Sequence, residues 1–197
     1  GRIEFFHIFP MNFKEYLMAL GRDDLIEAIA TGARQPESIH ELLLSEVATY
    51  MLIGGMPEVI ATYIANRDLS ACQEIQQILV STFREDFHKY SSRARTEHIQ
   101  KVFATVPRLL GQKFKFSNVS KDVKSRELSR ALTLLEEAGI VYKAYHTSAG
   151  GVPLSAERDE AKFKVFLLDT GLCHRILGLP LSMLFLERKE LLINRGF

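Results

Sequence analysis

The sequence predicts a mainly α-helical fold, a helical lid-like bundle followed by a winged-helix module with a small β-ribbon. Three observations carry this. Apolar residues recur at intervals of three and four along most of the chain. β-type runs are few and short. Late in the chain the order helix, short strand, helix, two-stranded ribbon with a long loop is that of a winged helix.

The elements follow in order. Ile3 to Phe9 is apolar, β-branched and aromatic, and Pro10 ends it, which predicts a short buried strand. Asn12 is placed to cap a helix whose third residue, Glu15, completes a capping-box pattern, and Phe13, Tyr16, Leu17 and Leu20 follow at helical spacing. Gly21 stops that helix, and Leu25, Ile26 and Ile29 mark a second, short one. From Pro36 the series Ile39, Leu42, Leu43, Val47, Tyr50, Met51 predicts a long amphipathic helix ending at Gly54-Gly55. Pro57 cannot continue that helix but suits the first turn of the next, which carries Val59, Ile60, Tyr63 and Ile64 up to the turn Asn66-Arg67-Asp68. Leu69 to Tyr90 reads as one long helix and Thr96 to Gly111 as another, kinked at Pro107.

Beyond Gln112 the texture changes. Lys113-Phe114-Lys115-Phe116 alternates as a strand does, and Leu128, Ala131, Leu132, Leu135 and Ala138 form a sharp helical stripe stopped by Gly139. Ile140 to Thr147 and Lys162 to Leu168 are the two ribbon strands, with the polar loop Ser148 to Glu160 between them. Leu172 to Leu177 and Met183 to Ile193 read as shorter helical pieces. The expected organisation is residues 1–10 as the end of a preceding core, 11–92 as the helical lid-like region, 93–179 as the winged helix and 180–197 as the start of a following domain.

Composition narrows the function. With 47% hydrophobic and 25% charged residues the chain has an ordinary globular balance, and 25 basic against 24 acidic residues leave a net charge of +1. No global field therefore drives it onto nucleic acid or an anionic membrane, and any such binding must come from a local patch. Cys72 and Cys173 stand far apart with no Cys/His pair at metal spacing, so neither a disulfide framework nor a zinc site is indicated and a reduced, cytoplasmic setting is the default expectation. No apolar run approaches the roughly 18 residues of a membrane span, so no membrane partner is expected.

Several stretches together resemble a large family of prokaryotic AAA+ ATPases, the archaeal-type group in which a P-loop domain precedes a C-terminal domain of unknown function. Gly1-Arg2-Ile3-Glu4 through Pro10-Met11-Asn12-Phe13-Lys14-Glu15-Tyr16-Leu17 resembles that family's "GRIE…PLSFxEFL" junction, and Tyr50 through Gly54-Gly55-Met56-Pro57-Glu58-Val59 its "YxxxGGxPEVV" segment. Phe114 to Ser117, Arg126-Glu127, Leu134 to Val141 and Phe163 to Leu172 resemble its winged-helix part. The resemblance implies a longer parent in which the phosphate-binding loop and acidic strand, and with them ATP and Mg²⁺, lie before Gly1, and a nuclease-like tail lies after Phe197. It also implies the ATPase core of the same chain as a partner, with a homo-oligomer as a further expectation. No G-x-x-x-x-G-K-[ST] occurs within these residues, so they are not expected to hydrolyse ATP themselves.

Three groups of residues are the candidates for function. Gly54, Gly55 and Pro57 are the cofactor-binding candidates, because glycines let backbone approach a nucleotide and a proline at a helix start packs on adenine; the competing reading is a helix-helix corner that needs Gly and Pro. Arg2 is the catalytic candidate, an arginine finger or sensor by analogy with such ATPases, against a solvated terminal arginine. Lys121, Lys124, Arg126 and Arg130, with Arg158 on the wing, are the nucleic-acid-binding candidates, since Arg126, Ser129, Arg130 and Thr133 share one helical face suited to the major groove of duplex DNA. The competing readings are a solvated face and a protein-interaction module. Asp169 with Glu187-Arg188-Lys189 matches a metal-nuclease pattern only superficially, since Asp169 is placed to cap a turn. His88, His98, His146 and His174 share no ligand spacing, and no metal is expected.

Overall fold

The computed structural model describes residues 2, 4, 6–89, 93–148, 150–152 and 157–179 of the chain. The capping box forms as its residues dictate. Asn12 Oδ1 accepts from Glu15 N at 3.0 Å and Glu15 Oε2 accepts from Asn12 N at 2.7 Å, starting α1 (Phe13–Ala19). Four more helices complete a bundle: α2 (Asp23–Ala30), α3 (Glu37–Ile53), α4 (Pro57–Asn66) and α5 (Leu69–Lys89). Pro57 occupies the first turn of α4, where its missing N–H has no partner to lose. Tyr16, Leu17, Leu25, Ile53, Val59, Ile60 and Cys72 form the core of these helices, and Tyr16 Oη donates to Glu46 at 2.8 Å so that its polar end is satisfied.

The second half begins with α6 (Arg93–Thr105), which is shorter than predicted. Pro107 lacks the amide that would bond the carbonyl of Phe103, so the chain tightens into a 3₁₀ turn at Val106–Leu109 instead of merely kinking. The alternating run after Gln112 forms one ladder-type bond, Phe114 N to Phe163 O at 2.9 Å, and then a 3₁₀ turn at Phe116–Asn118. There follow α7 (Ser125–Glu137), β1 (Val141–Thr147), β2 (Arg158–Leu167) and α8 (Thr170–Leu177). The strands pair antiparallel with Val141 opposite Leu167, and an irregularity lies between Tyr145 and His146. β2 starts four residues earlier than its apolar run, because Arg158 and Asp159 still pair with Thr147 and His146. The expected helical piece from Met183 to Ile193 lies outside the described residues.

The fold is therefore mainly helical with a small antiparallel ribbon. α7 buries Leu128, Ala131, Leu132 and Leu135 against α6 and β1, the predicted stripe. Each leucine withdrawn from water stabilises the fold by about 1.5–3 kcal/mol. The order α6, 3₁₀ turn, α7, β1, β2 follows the winged-helix plan. α5 serves both halves, since Cys72 lies in the first core while Val80 and Phe87 lie in the second with Phe103, Val106 and Val165. α8 returns to pack on α3 and α5.

One expected element is not seen among the described residues. Among the described residues between 2 and 12 there is no strand, and Phe6, Ile8 and Phe9 are largely exposed. Phe9 meets the Tyr142 ring of β1 at 6.3 Å between centroids, a side-chain contact without strand pairing.

Candidate functional site

At the Gly54-Gly55 corner, α3 ends with Gly54 at φ +75°, in the left-handed region that glycine enters freely. Gly55 N donates to Asp169 Oδ2 at 2.6 Å, and Leu172 N donates to Oδ1 of the same carboxylate at 2.9 Å. One side chain thus caps α8 and ties it to the corner after α3. On the other side Met11 N donates to Gly55 O at 2.7 Å, and Tyr50 Oη donates to Met11 O at 2.7 Å. Gln76 of α5 donates to Leu52 O at 3.0 Å and Ile53 O at 2.9 Å, satisfying carbonyls at the end of α3 that have no helical partner. Burial pushes the Asp169 carboxyl above the ordinary carboxylate range, and the amides of Leu172, Gly55 and Gly171 oppose that rise.

This geometry gives Gly54 and Gly55 a packing role within the chain. Both are buried, and the close approach that glycine permits is taken up by this chain itself. A Cβ on Gly54 would lie 2.5 Å from Asp169 Oδ2, and one on Gly55 would lie 2.9 Å from Met11 N, with the Met11 carbonyl nearer still. A phosphate would meet a buried carboxylate here. These contacts are those of a helix-helix corner. Pro57 is exposed on the first turn of α4. Arg2 is exposed and without regular secondary structure.

The nucleic-acid candidates lie together on and before α7. Lys121 and Lys124, before α7, are exposed, as are Arg126, Ser129, Arg130 and Thr133 on the helix face away from Leu128, Leu132 and Leu135. Among the described residues none of the four cations has an ion-pair partner. Residues 121–130 hold these four cations against two carboxylates, Asp122 and Glu127. Glu127 faces His98 of α6 at 3.9 Å, away from Arg126 and Arg130 in its contacts. The N-terminus of α7 adds partial positive charge at Lys124. Arg158 stands apart from this group. Its guanidinium pairs with Glu160 at 2.7 Å and lies 4.3 Å over the Tyr145 ring, so the wing's cation is engaged within the ribbon.

The remaining candidates do not assemble. Glu187, Arg188 and Lys189 lie outside the described residues, and Asp169 is consumed as cap and tie. His88 meets Gln100, His98 meets Glu127, His146 is exposed, and His174 is buried in α8 with backbone partners at Thr170 and Met51. Among the described residues no three His, Cys, Asp or Glu side chains are grouped to hold a metal, and no described helix is long and apolar enough to cross a membrane. Cys72 and Cys173 are free and buried.

Sequence reasoning missed the second oxygen of Asp169 and the role of Gln76. The amide at position 76 gave a usable signal, for it falls on the Cys72–Val80 stripe of α5 where an apolar residue is expected. The Asp169–Gly55 bond joins residues 114 positions apart, and no local pattern announces it.

No curated protein and no solved structure matches the chain. The model of one family, described as a domain of unknown function (DUF8612), matches residues 44–182, a span that includes the Gly54-Gly55 corner, Asp169 and all of α7. That span is well over half of the chain, and the chain belongs to this family.

Proposed function

We propose that this chain is a duplex-DNA-binding winged-helix module seated on a helical bundle, and that α7 is its recognition helix. The observation that carries the reading is the row Lys121, Lys124, Arg126 and Arg130, exposed and without ion pairs among the described residues. In a chain of net charge +1, four cations against two carboxylates over ten residues make a local patch. Lys121 and Lys124 suit phosphate contacts at the helix start, while Arg126, Ser129, Arg130 and Thr133 suit the major-groove edge. The resemblance to AAA+ ATPases supports placing this module in a longer, cytoplasmic chain whose ATPase core, with its own ATP and Mg²⁺ site, is the second partner. Asp169 then supplies the coupling route, since displacement of the bundle at Gly55 pulls on the residues linking β2 to α8.

The test is duplex binding followed by fluorescence anisotropy across a salt series. Replacing Lys124, Arg126 and Arg130 together by Ala should weaken binding and flatten the dependence of log K on log salt by about 0.9 for each phosphate no longer neutralised. Exposed substitutions of this kind change folding by within about 0.5 kcal/mol. Absence of duplex affinity at low salt, or an unchanged slope in the triple variant, would overturn the reading in favour of a protein-contacting face.

A further inference from the structure

α8 meets the two halves of the molecule with two different faces. Leu172 and Cys173, four and three residues before Ile176 and so on one side of the helix with it, pack into the second core beside Val80 of α5 and Val165 of β2. Among the described residues none of α8 enters the core of α1 to α5 built around Tyr16, Leu17 and Ile53. The ties from α8 to α3 are polar or backbone contacts. Asp169 Oδ2 accepts from Gly55 N at 2.6 Å, His174 meets the backbone of Met51, and Gly171 lies against the carbonyl of Ile53. Gly171 and His174, three residues apart, share a face distinct from the apolar one. The hold on α5 is broader, because Arg175 Nε donates to Gln77 Oε1 at 2.7 Å in addition to the apolar packing on Val80.

We propose that α8 is a latch between the two halves: it stays with the second core, pivots on α5 and lifts from the end of α3, parting Asp169 from Gly55 and His174 from Met51 while both cores stay folded. The two faces part from their partners at different cost. Separating an apolar face exposes surface that water solvates poorly, in proportion to its area. Separating a polar face exchanges each bond for one to water, which recovers most of what is lost. Asp169 adds to this difference, since burial disfavours its charge and water entering the junction restores its hydration. Its other bond, from Leu172 N at 2.9 Å, lies within the cap of α8 and survives the lift, so the helix moves with its start intact. At the end of α3, Gln76 of α5 keeps its bonds to Leu52 O and Ile53 O, so the carbonyls there stay satisfied when α8 leaves. The latch deepens the coupling route of the proposed function by naming its moving part, and its geometry involves no DNA contact.

Native-state hydrogen exchange, read by NMR on the full 197-residue chain in urea below the unfolding transition, tests the latch. The reporter is the Gly55 N–H, which the lift releases from Asp169, and the references are the amides of Val102 in α6 and Leu132 in α7, both in the second core. In the wild type Gly55 should exchange roughly tenfold or more faster than the references, with a weaker dependence on urea, because the lift exposes far less surface than unfolding does. Exchange of Gly55 at the rate and urea dependence of Val102 and Leu132 overturns the proposal, for the junction then opens only when the whole chain unfolds. Gly171→Ala separates the lift from fraying of the Gly55 corner alone. Its Cβ crowds Ile53 and Gln76 only while α8 lies on α3, so the strain is released equally by lifting and by unfolding. The variant should therefore speed Gly55 and Leu132 by the same factor. A Leu132 amide that speeds up while Gly55 keeps its wild-type rate overturns the proposal, since Gly55 would then be opening with α8 still seated. The wild-type comparison decides by itself where the variant does not fold. No DNA enters the measurement, so its failure leaves the α7 reading standing, and failure of duplex binding leaves the latch standing.

Discussion

Gly171→Ala sets two well-measured effects against each other. Gly171 lies in the first turn of α8, and in an open helix alanine is favoured over glycine by about 0.8–1 kcal/mol, so propensity alone predicts a stabilised variant. The structure predicts the reverse. A Cβ at this position would lie 2.5 Å from Gln76 Nε2 and 2.6 Å from the carbonyl carbon of Ile53, and nearer still to its oxygen. Contact of ordinary length begins near 3.4 Å, so α8 must withdraw from α3 by most of an ångström. Overpacking of this kind costs about 1–3 kcal/mol. Withdrawal also stretches the 2.9 Å bond from Gln76 to Ile53 and the 2.6 Å bond from Gly55 to Asp169, buried interactions worth about 1 kcal/mol each. The balance is a net loss of about 1–3 kcal/mol. Urea unfolding followed by far-ultraviolet circular dichroism reads it directly, as a midpoint lowered by about 0.5–1.5 M at an m-value of about 2 kcal/mol/M. A midpoint that rises by the propensity difference would refute the close packing of α8 on the end of α3, and with it the route by which the bundle is coupled to the ribbon.

The other predictions concern the same junction. Gly55→Ala meets the Met11 backbone and should lower stability by about 1–3 kcal/mol in the absence of any nucleotide; an unchanged urea midpoint would refute the close packing of this corner. Asp169→Asn should cost about 1–3 kcal/mol, since an amide leaves one of the Gly55 and Leu172 N–H groups facing an NH₂, and the expected readout is a lower melting midpoint with near-normal helix content. Its cost should also depend on pH. The folded-state pKa of Asp169 is raised, so the stability tied to its protonated form is present below the unfolded value of about 3.9 and is lost as pH rises through the raised value. The stability difference between wild type and Asp169→Asn should therefore shrink from about pH 4 upward. A difference that grows over that range would mean the carboxylate is stabilised by its amides.

The helices and their stops were written in the chain locally. The Asn12–Glu15 capping box, Pro57 at the start of α4, and the Leu128–Leu135 stripe of α7 are settled within one or two turns, so their residues carry the information without a partner. The exposed cations of α7 were legible for the same reason, because a helix with one apolar stripe leaves its other face to solvent. Elements that depend on a distant partner were not. Ile3 to Phe9 has strand composition but forms no strand among its described residues, and Lys113 to Phe116 gained a single bond to β2 before turning into a 3₁₀ helix. The meaning of the glycines also came only from the packed molecule. A sequence shows where backbone is bare, and Gly54 and Gly55 were bare in a pattern that suited a nucleotide as well as a corner. Which atoms fill the space beside them and beside Gly171, namely Asp169, Met11 and the end of α3, is decided by chain segments far away in sequence, where no periodicity reaches.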